Sequence, residues 1–343
     1  MFDVLLTLCL LDQPGLCADR TIPTAAATCP EALAAAAERI EGWRARHAVS
    51  AIRCGSMVVP PLPFEEVLPG LHVHRAAVAL ADPANGGTIG NIAFVVGESG
   101  VAVIDSGGSR AAGEAVVAAV RAVTDRPIRL VVLTHAHPDH VFGATALADA
   151  GATIWAHHAL PEVLALRMGP FEAQGLRQIG ADFVGTEAPR VDHAVQDSAA
   201  VDAGGRALEL RAWPVAHSGA DLTVLDPATA TLLAGDLVFD RHLPTLDGSL
   251  RGWQRVLEDL QGLAAEWVVP GHGGPLLPWP EGLEPTARYL ARLEADVREL
   301  IAGGATLSEA AARAAEAERG AWLLFDEHNP RNATVAYTEL EWE

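Results

Sequence analysis

The heptapeptide Thr134-His135-Ala136-His137-Pro138-Asp139-His140 places four potential metal ligands, His135, His137, Asp139 and His140, within six residues. Three more follow: His217 in WPVAHSGAD, Asp236 in LLAGDLVF and His272 in VVPGHGGP, each just after a short apolar run. Imidazole and carboxylate are donors that zinc takes in proteins, and these seven side chains are enough for two ions. Two ions about 3.5 to 4 Å apart can share a hydroxide, lower its pKa and polarise the carbonyl it attacks. The chemistry expected is hydrolysis of an acyl bond without a serine or cysteine nucleophile. A single H-x-H would be an ordinary polar pair. Buried together at strand ends, however, the imidazoles and carboxylates would each need a partner, and shared coordination satisfies all of them.

His135 and His137 alternate on an extended segment, so their rings can reach one metal, with His217 as its third nitrogen donor; three imidazoles plus water make an open zinc position. Asp139, His140 and His272 would take a second ion, with Asp236 bridging the two. Asp139 and Asp236 are the expected catalytic carboxylates. IRLVVLT is the continuous apolar run of a strand covered on both faces, and it delivers His135 at its carboxyl end. Pro138 suits the first turn of a helix whose inner face would hold Val141, Phe142 and Leu147. LELRAWPVA, ATLLAG and EWVVPG are expected strands ending at His217, Asp236 and His272. Separate strand ends then converge on one edge of an α/β sheet system. Upstream, VHRAAVAL and IAFVVG are expected strands flanking a Gly/Asn loop, VAVID is another, and Ser109 N-caps the helix RAAGEAVVAAVRAV. Further helices are expected over Leu250–Ala265, Glu284–Ile301 and Ser308–Arg319, and Gly180–Gly205 reads as a polar, irregular loop near the site.

A chain of 343 residues, half of them hydrophobic, can bury a large core, and one principal domain with appendages is expected. With 24 basic against 44 acidic residues, a net charge of -20 and no basic block, the chain's field repels a phosphate backbone, so no nucleic-acid partner is expected. The acidity does not specify a cationic substrate, because bound metal reverses the local field. No stretch approaches the roughly 18 consecutive apolar residues of a membrane span. Cys9, Cys17, Cys29 and Cys54 all lie near the start and read as two disulfides. A zinc site there is the weaker reading, since C-x-x-C knuckles are missing and only His47 is nearby. Spacing does not fix the pairing; Cys9 with Cys17 and Cys29 with Cys54 is the working choice. Oxidised cysteines imply the periplasm or exterior. Val4–Leu11, preceded by Asp3, makes a poor export leader, which keeps the cytoplasm as the alternative. Residues 1–58 form an expected disulfide-containing unit with a strand-like Val4–Leu11, a Cys-rich loop and a helix over Glu31–His47. Pro60, Pro61 and Pro63 mark a linker, and residues 64–343 form the main domain with its C-terminal helices.

The T-H-A-H-P-D-H run followed by His217, Asp236 and His272 resembles the metallo-β-lactamase superfamily over about residues 71–275. The resemblance implies an α/β fold, a four-layer αββα sandwich carrying the metals at one edge, here with a small Cys-rich N-terminal appendage. It implies two zinc ions, with iron as the alternative. Asp105 in VIDSGG matches an aspartate that supports ligand geometry in that family, its plainer role being to cap a turn. The phrases NIAFVVGESGVAVIDSGGS, THAHPDHVFGA, GDLVFDRHLPTLDGSLRGW and HNPRNATVAYTELEWE resemble the SoxH-related branch. The front segment is similar to that of quinoprotein relay system zinc metallohydrolases, which implies a periplasmic quinoprotein or cytochrome system as partner.

The expected function is a dinuclear zinc hydrolase that cleaves a small ester, thioester, lactone or lactam through a metal-bridging hydroxide. The alternatives are a mononuclear iron persulfide dioxygenase, a noncatalytic accessory partner of a quinoprotein dehydrogenase, and a β-lactamase. His140 and Asp236 stand where lactamases often use other residues, and the extended basic carboxyl-terminal domain of glyoxalase II is missing, which lowers antibiotics and glutathione thioesters as substrates. Arg241, His242, Asp247 and Arg251 follow the bridging aspartate and are candidates for the substrate pocket, against a plain role as solvated loop polars. His157 and His158 read as structural, and His72, His74, His193 and His328 are given no metal role.

Overall fold

The computed structural model describes residues 2–343. In β1 (Phe2–Leu10), Val4, Leu6, Leu8 and Leu10 are buried at every second position, the period of a strand with one covered face. β1 is the centre of an antiparallel sheet between β2 (Cys17–Ala26) and β3 (His47–Gly55). α1 (Cys29–Arg44) lays Ala32, Ala36, Ile40 and Trp43 on that face. Its start is fixed by a capping box: the Thr28 hydroxyl accepts from Glu31 N, and the Glu31 carboxylate accepts from Thr28 N. Disulfides Cys9–Cys17 and Cys29–Cys54 are both formed, in the expected pairing. The first joins directly opposed residues of β1 and β2, so much of the expected Cys-rich loop is strand.

The next seven strands form a mixed sheet: β4 (Glu65–Leu68), β5 (Leu71–His74), β6 (Ile92–Val96), β7 (Val101–Ile104), β8 (Ile128–Leu133), β9 (Thr153–His157) and β10 (His193–Val195), in the spatial order β10-β9-β8-β7-β6-β5-β4. A six-stranded sheet follows: β11 (Ser198–Asp202), β12 (Ala207–Ala212), β13 (Leu222–Asp226), β14 (Thr231–Phe239), β15 (Trp267–His272) and β16 (Leu277–Pro278). The helices are α2 (Arg110–Val123), α3 (Pro138–Val141), α4 (Ala144–Asp149), α5 (Leu160–Ile179), α6 (Leu250–Leu260), α7 (Glu284–Ala302), α8 (Leu307–Arg313) and α9 (Phe325–Leu340).

Alternation along the strands decides the layers. Ala93, Val95, Ala102 and Ile104 of the first sheet meet Leu208, Leu210, Val224 and Leu233 of the second in the central core. Ile92, Phe94, Val101 and Val103 point the other way and pack with residues of α2, α4 and α5. The opposite face of the second sheet packs Leu232 and Ala234 with residues of α6, α7 and α9. The order helix, sheet, sheet, helix is the expected αββα sandwich.

Several boundaries differ from those expected. VHRAAVAL is strand only to His74, and LELRAWPVA stops at Ala212, ahead of Pro214, which has no N–H for a ladder. ATLLAG continues to Phe239, with register shifts on both sides of Gly235 that place Asp236 inside the irregular stretch. Gly180–Gly205 is not irregular throughout, since it carries β10 and β11. The helix begun at Leu250 ends at Leu260, and Ser308–Arg319 divides into α8 and a 3-10 turn over Glu316–Ala321. Among the described residues no helix is long and apolar enough to cross a membrane.

The front sheet is joined to the sandwich by buried, charged hydrogen bonds. Arg20 donates to the carbonyls of Val184 (2.7 Å), Ala181 (2.7 Å) and Asp182 (2.8 Å), just beyond α5. Arg110 of α2, wholly buried, donates to Glu114 (3.0 Å), Asp149 (2.6 Å) and the Thr21 carbonyl (2.7 Å). Such bonds are stronger than neutral ones; Arg110 is paired with two carboxylates, and the buried guanidinium of Arg20 is satisfied by backbone carbonyls.

Candidate metal centre

β8 ends at Leu133, and the turn after it carries the histidine cluster into α3. Asp105, just past β7, braces that turn: Oδ1 accepts from Thr134 N (2.8 Å), and Oδ2 accepts from Thr134 Oγ1 (2.8 Å) and His140 Nδ1 (2.8 Å). It does so at φ 61°, a conformation that non-glycine residues adopt rarely and that commonly marks functional sites.

The seven residues singled out in the sequence are brought together in two donor sets. One is His135, His137, His217 and Asp236; the other is Asp139, His140 and His272, and within each set the donor atoms lie within 4.8 Å of one another. His137 Nδ1 is 3.1 Å from His135 Nε2 and 3.0 Å from His217 Nε2. Asp236 reaches both sets. Its Oδ2 lies 3.5 Å from His217 Nε2 and 3.4 Å from His272 Nε2, and its Oδ1 lies 3.3 Å from His140 Nε2.

Hydrogen bonds on the outer ring nitrogens assign the tautomers. His217 Nδ1–H donates to the Thr245 carbonyl (2.7 Å), His137 Nε2–H to Asp247 (3.0 Å), and His140 Nδ1–H to Asp105. Thr134 Oγ1, having given its proton to Asp105, accepts from His135 Nδ1–H (3.0 Å). The inward nitrogens of His135, His137 and His217 are then lone pairs pointing at one another. Two nitrogens on a tetrahedral zinc stand roughly 3.3 Å apart, close to the spacings here. His140 Nε2 and Asp236 Oδ1 are buried with no hydrogen-bond partner, the state of donors that face a cation. Space is kept for this approach: a Cβ on Gly271 would stand 1.9 Å from Asp236 Oδ1, and one on Gly90 would stand 2.7 Å from His140 Nε2. The residues present therefore fit a pair of divalent ions.

Electrostatics divides the two sets. Burial pushes His217 down to about 3, and burial with the neighbouring charge of His140 pushes His135 well below its ordinary value, so both favour the neutral ring that a metal needs. Burial opposes the charged form of His140, yet Asp139, Asp236 and Asp105 hold it well above 6.5. Asp236 remains ionised despite burial because His272, His140 and His135 surround it.

The substrate-pocket candidates separate. Asp247 lies at the centre, against His137. His242 is buried, with its ring 4.6 Å from that of His272 and 5.1 Å from that of His328. Arg241 is exposed at φ 64°. Arg251 is paired with Glu343 (3.1 Å) and Glu294 (3.6 Å), so the structure gives it a surface ion pair instead of a place beside the histidines. His157 is structural, bonding the Trp213 carbonyl (3.1 Å) and Ala159 N (3.0 Å). His72 stacks on Phe94 and His193 on Trp155. The sequence reading missed Arg167 and Arg331, which both pair with Asp247. Arg331 lies in the HNPRNATVAY phrase already noted, whereas Arg167 lies in a helix the reading did not mark.

Comparison with known proteins accords with this geometry. The family model of the Metallo-beta-lactamase superfamily matches residues 85–272, more than half of the chain. Metallo-beta-lactamase domain-containing protein 1 of Mus musculus is 28% identical over 222 residues, which span 61% of this chain and 72% of that protein. A metallo-beta-lactamase from Pontibacter korlensis superposes with a TM-score of 0.55 at 20% identity, covering 67% of this chain and 99% of its own. The inverting sec-alkylsulfatase Pisa1 from Pseudomonas sp. superposes with a TM-score of 0.60 at 18% identity, over 81% of this chain and 50% of its own. At these identities the structural likeness is one of fold.

Proposed function

The chain belongs to the metallo-beta-lactamase superfamily of metal-dependent hydrolases, and we propose that it is a dinuclear zinc enzyme cleaving a small ester, thioester, lactone or lactam. His135, His137 and His217 would hold one ion and Asp139, His140 and His272 the other, with Asp236 within reach of both sets. The observation that carries this reading is the set of inward lone pairs, fixed by outward hydrogen bonds, around the partnerless pair His140 Nε2 and Asp236 Oδ1. When bound, two divalent ions supply Lewis acidity and a water acidic enough to attack a carbonyl near neutral pH.

The protein's own groups do the rest. Asp105, Asp247 and the Thr245 carbonyl hold the rings in one tautomer and one orientation. Asp139, with 16% of its side chain exposed, is the most open carboxylate of the cluster. Its Oδ2, 3.3 Å from His140 Nε2 and 3.4 Å from His272 Nε2, is the donor it would offer the second ion, which leaves the other carboxylate oxygen to orient the attacking water by a hydrogen bond. His135, His140 and His217 are almost wholly buried, which excludes bulk water from the far side of the site and strengthens every charge interaction there.

The SoxH-related phrases and the two disulfides together support a periplasmic place beside a quinoprotein oxidation system. The test is elemental analysis of the purified protein, with about two zinc ions per chain expected, followed by a panel of activated esters, thioesters, lactones and β-lactams. A zinc-loaded protein that cleaves none of them overturns the reading.

A further inference from the structure

The side of the centre facing α5 carries a pattern that the metal ligands do not explain. Asp247, with 6% of its side chain exposed, accepts from His137 Nε2, and the guanidinium groups of Arg167 and Arg331 pair with the same carboxylate. Two permanent positive charges thus meet one negative charge beside a metal-facing imidazole. Arg167 is 37% exposed and Arg331 62% exposed, and each gives only one of its N–H-bearing nitrogens to Asp247. The remaining donors are open. In a chain of net charge -20 this is a local cationic excess, one imidazole and one carboxylate away from the reacting centre.

Arg167 stands on α5 with Phe171, Gln174 and Gln178, at intervals of four, three and four residues, so the four share one stripe of the helix. The stripe runs for about 16 Å along the helix axis. At its other end Phe171, Gln174 and Gln178 line a recess of about 130 Å³ with Ile89 and Asp139, and the recess is mostly apolar. One helix therefore offers positive charge at one end and a mostly apolar hollow, bordered by Asp139, at the other, with metal ligands alongside both.

Resting on the hydrolase reading above, we propose that α5 selects the substrate. Arg167, together with Arg331 from α9, binds an anionic group that the substrate carries in addition to its scissile carbonyl, while its uncharged arm lies in the recess. The substrate class is an anionic small acyl compound, with a carboxylate the group best matched to the fork of a guanidinium. Asp247 serves two purposes: it holds the arginines in place and orients His137, so the anion is read next to a metal ligand.

Succinate and butyrate test this directly. Each can present one carboxylate to the metals, and only succinate has a second for the arginines. Calorimetric titration of the zinc-loaded protein should give a preference for succinate of about ten- to hundredfold, the range for a hydrogen-bonded charge pair. In the double variant Arg167→Met, Arg331→Met the ratio should fall toward unity. Arg167→Lys, which keeps the charge and the fold contacts of the stem but loses the fork, should give an intermediate ratio. Equal affinities in the unaltered protein, or a preference that survives the double substitution with zinc content intact, would overturn the proposal. Hydrolysis of succinyl and butyryl thioesters is scored separately. If neither is cleaved while the binding ratio behaves as expected, the hydrolase reading falls and the anion subsite stands.

Discussion

In the three-histidine set every ring nitrogen that faces outward has a partner: Thr134 for His135, Asp247 for His137 and the Thr245 carbonyl for His217. In the set of Asp139, His140 and His272 only His140 is held this way, by Asp105; His272 Nδ1 is buried without a partner. Rings already fixed at their outer edge give up little freedom on taking an ion, whereas a loosely held set must be ordered by it. The contrast teaches that, on the dinuclear reading proposed above, the first ion would enter a finished socket and the second would enter one that it helps to complete.

The largest expected effect is that of Asp236→Ala, which touches both sets: turnover is lost and zinc falls from about two ions per chain to one or none. Asp105→Asn and Asp247→Asn come next, each weakening metal affinity by about 10- to 100-fold. Asp105→Asn should act chiefly on the second ion through His140, and Asp247→Asn on the first through His137. Native mass spectrometry against a rising chelator concentration reads the order of loss. A one-zinc species is expected on the way down, and simultaneous departure of both ions from the unaltered protein would erase the contrast.

Acidity separates the sets in the metal-free protein. His135 and His217 titrate below the ordinary 6.5 when folded, His217 at about 3, so the folded state binds fewer protons. Their contribution to stability is in place above 6.5 and is lost as the pH falls from 6.5 toward about 3. His140 and His272 are raised despite burial, by Asp139, Asp236 and Asp105 for the first and by Asp236 and Asp139 for the second. Their contribution is complete below 6.5 and is lost as the pH rises through their folded values. Thermal melts of the metal-free protein should therefore show His217→Asn flattening the acid limb and His272→Asn flattening the alkaline one. The smallest effect on the centre is expected from Cys29→Ser with Cys54→Ser. Opening that loop costs about 2–4 kcal/mol of unfolding free energy and leaves zinc content unchanged by elemental analysis.

The donor residues were legible because each lies close to a short apolar run, although the strands do not all end at them: β12 stops at Ala212, five residues before His217, and Asp236 lies within β14. Asp105 was marked, but its reach to Thr134 and His140 depends on a backbone turn at φ 61° that composition does not show. α5 was missed for a physical reason: LPEVLALRMGPFEAQGLRQI carries Gly169, Pro170 and Gly175, residues that read as breaks, and few of its positions are buried. Tertiary support holds it helical all the same. Gly175 is one such support, since a Cβ there would stand 2.4 Å from the Phe183 ring. Arg251 was marked because it follows Asp236 in the sequence, and that proximity says nothing once α6 turns its side chain toward Glu294 and Glu343.

Arg20 of the cross-linked front sheet grips three carbonyls in the turn that closes α5. The far end of that helix is consequently rooted in a body held by covalent bonds instead of by packing alone. Cutting both disulfides slackens the footing of the element that borders the cleft without touching a single metal ligand. If α5 selects the substrate as proposed, reduction of the front sheet would weaken substrate grip from a distance, while the donor sets stay as they are.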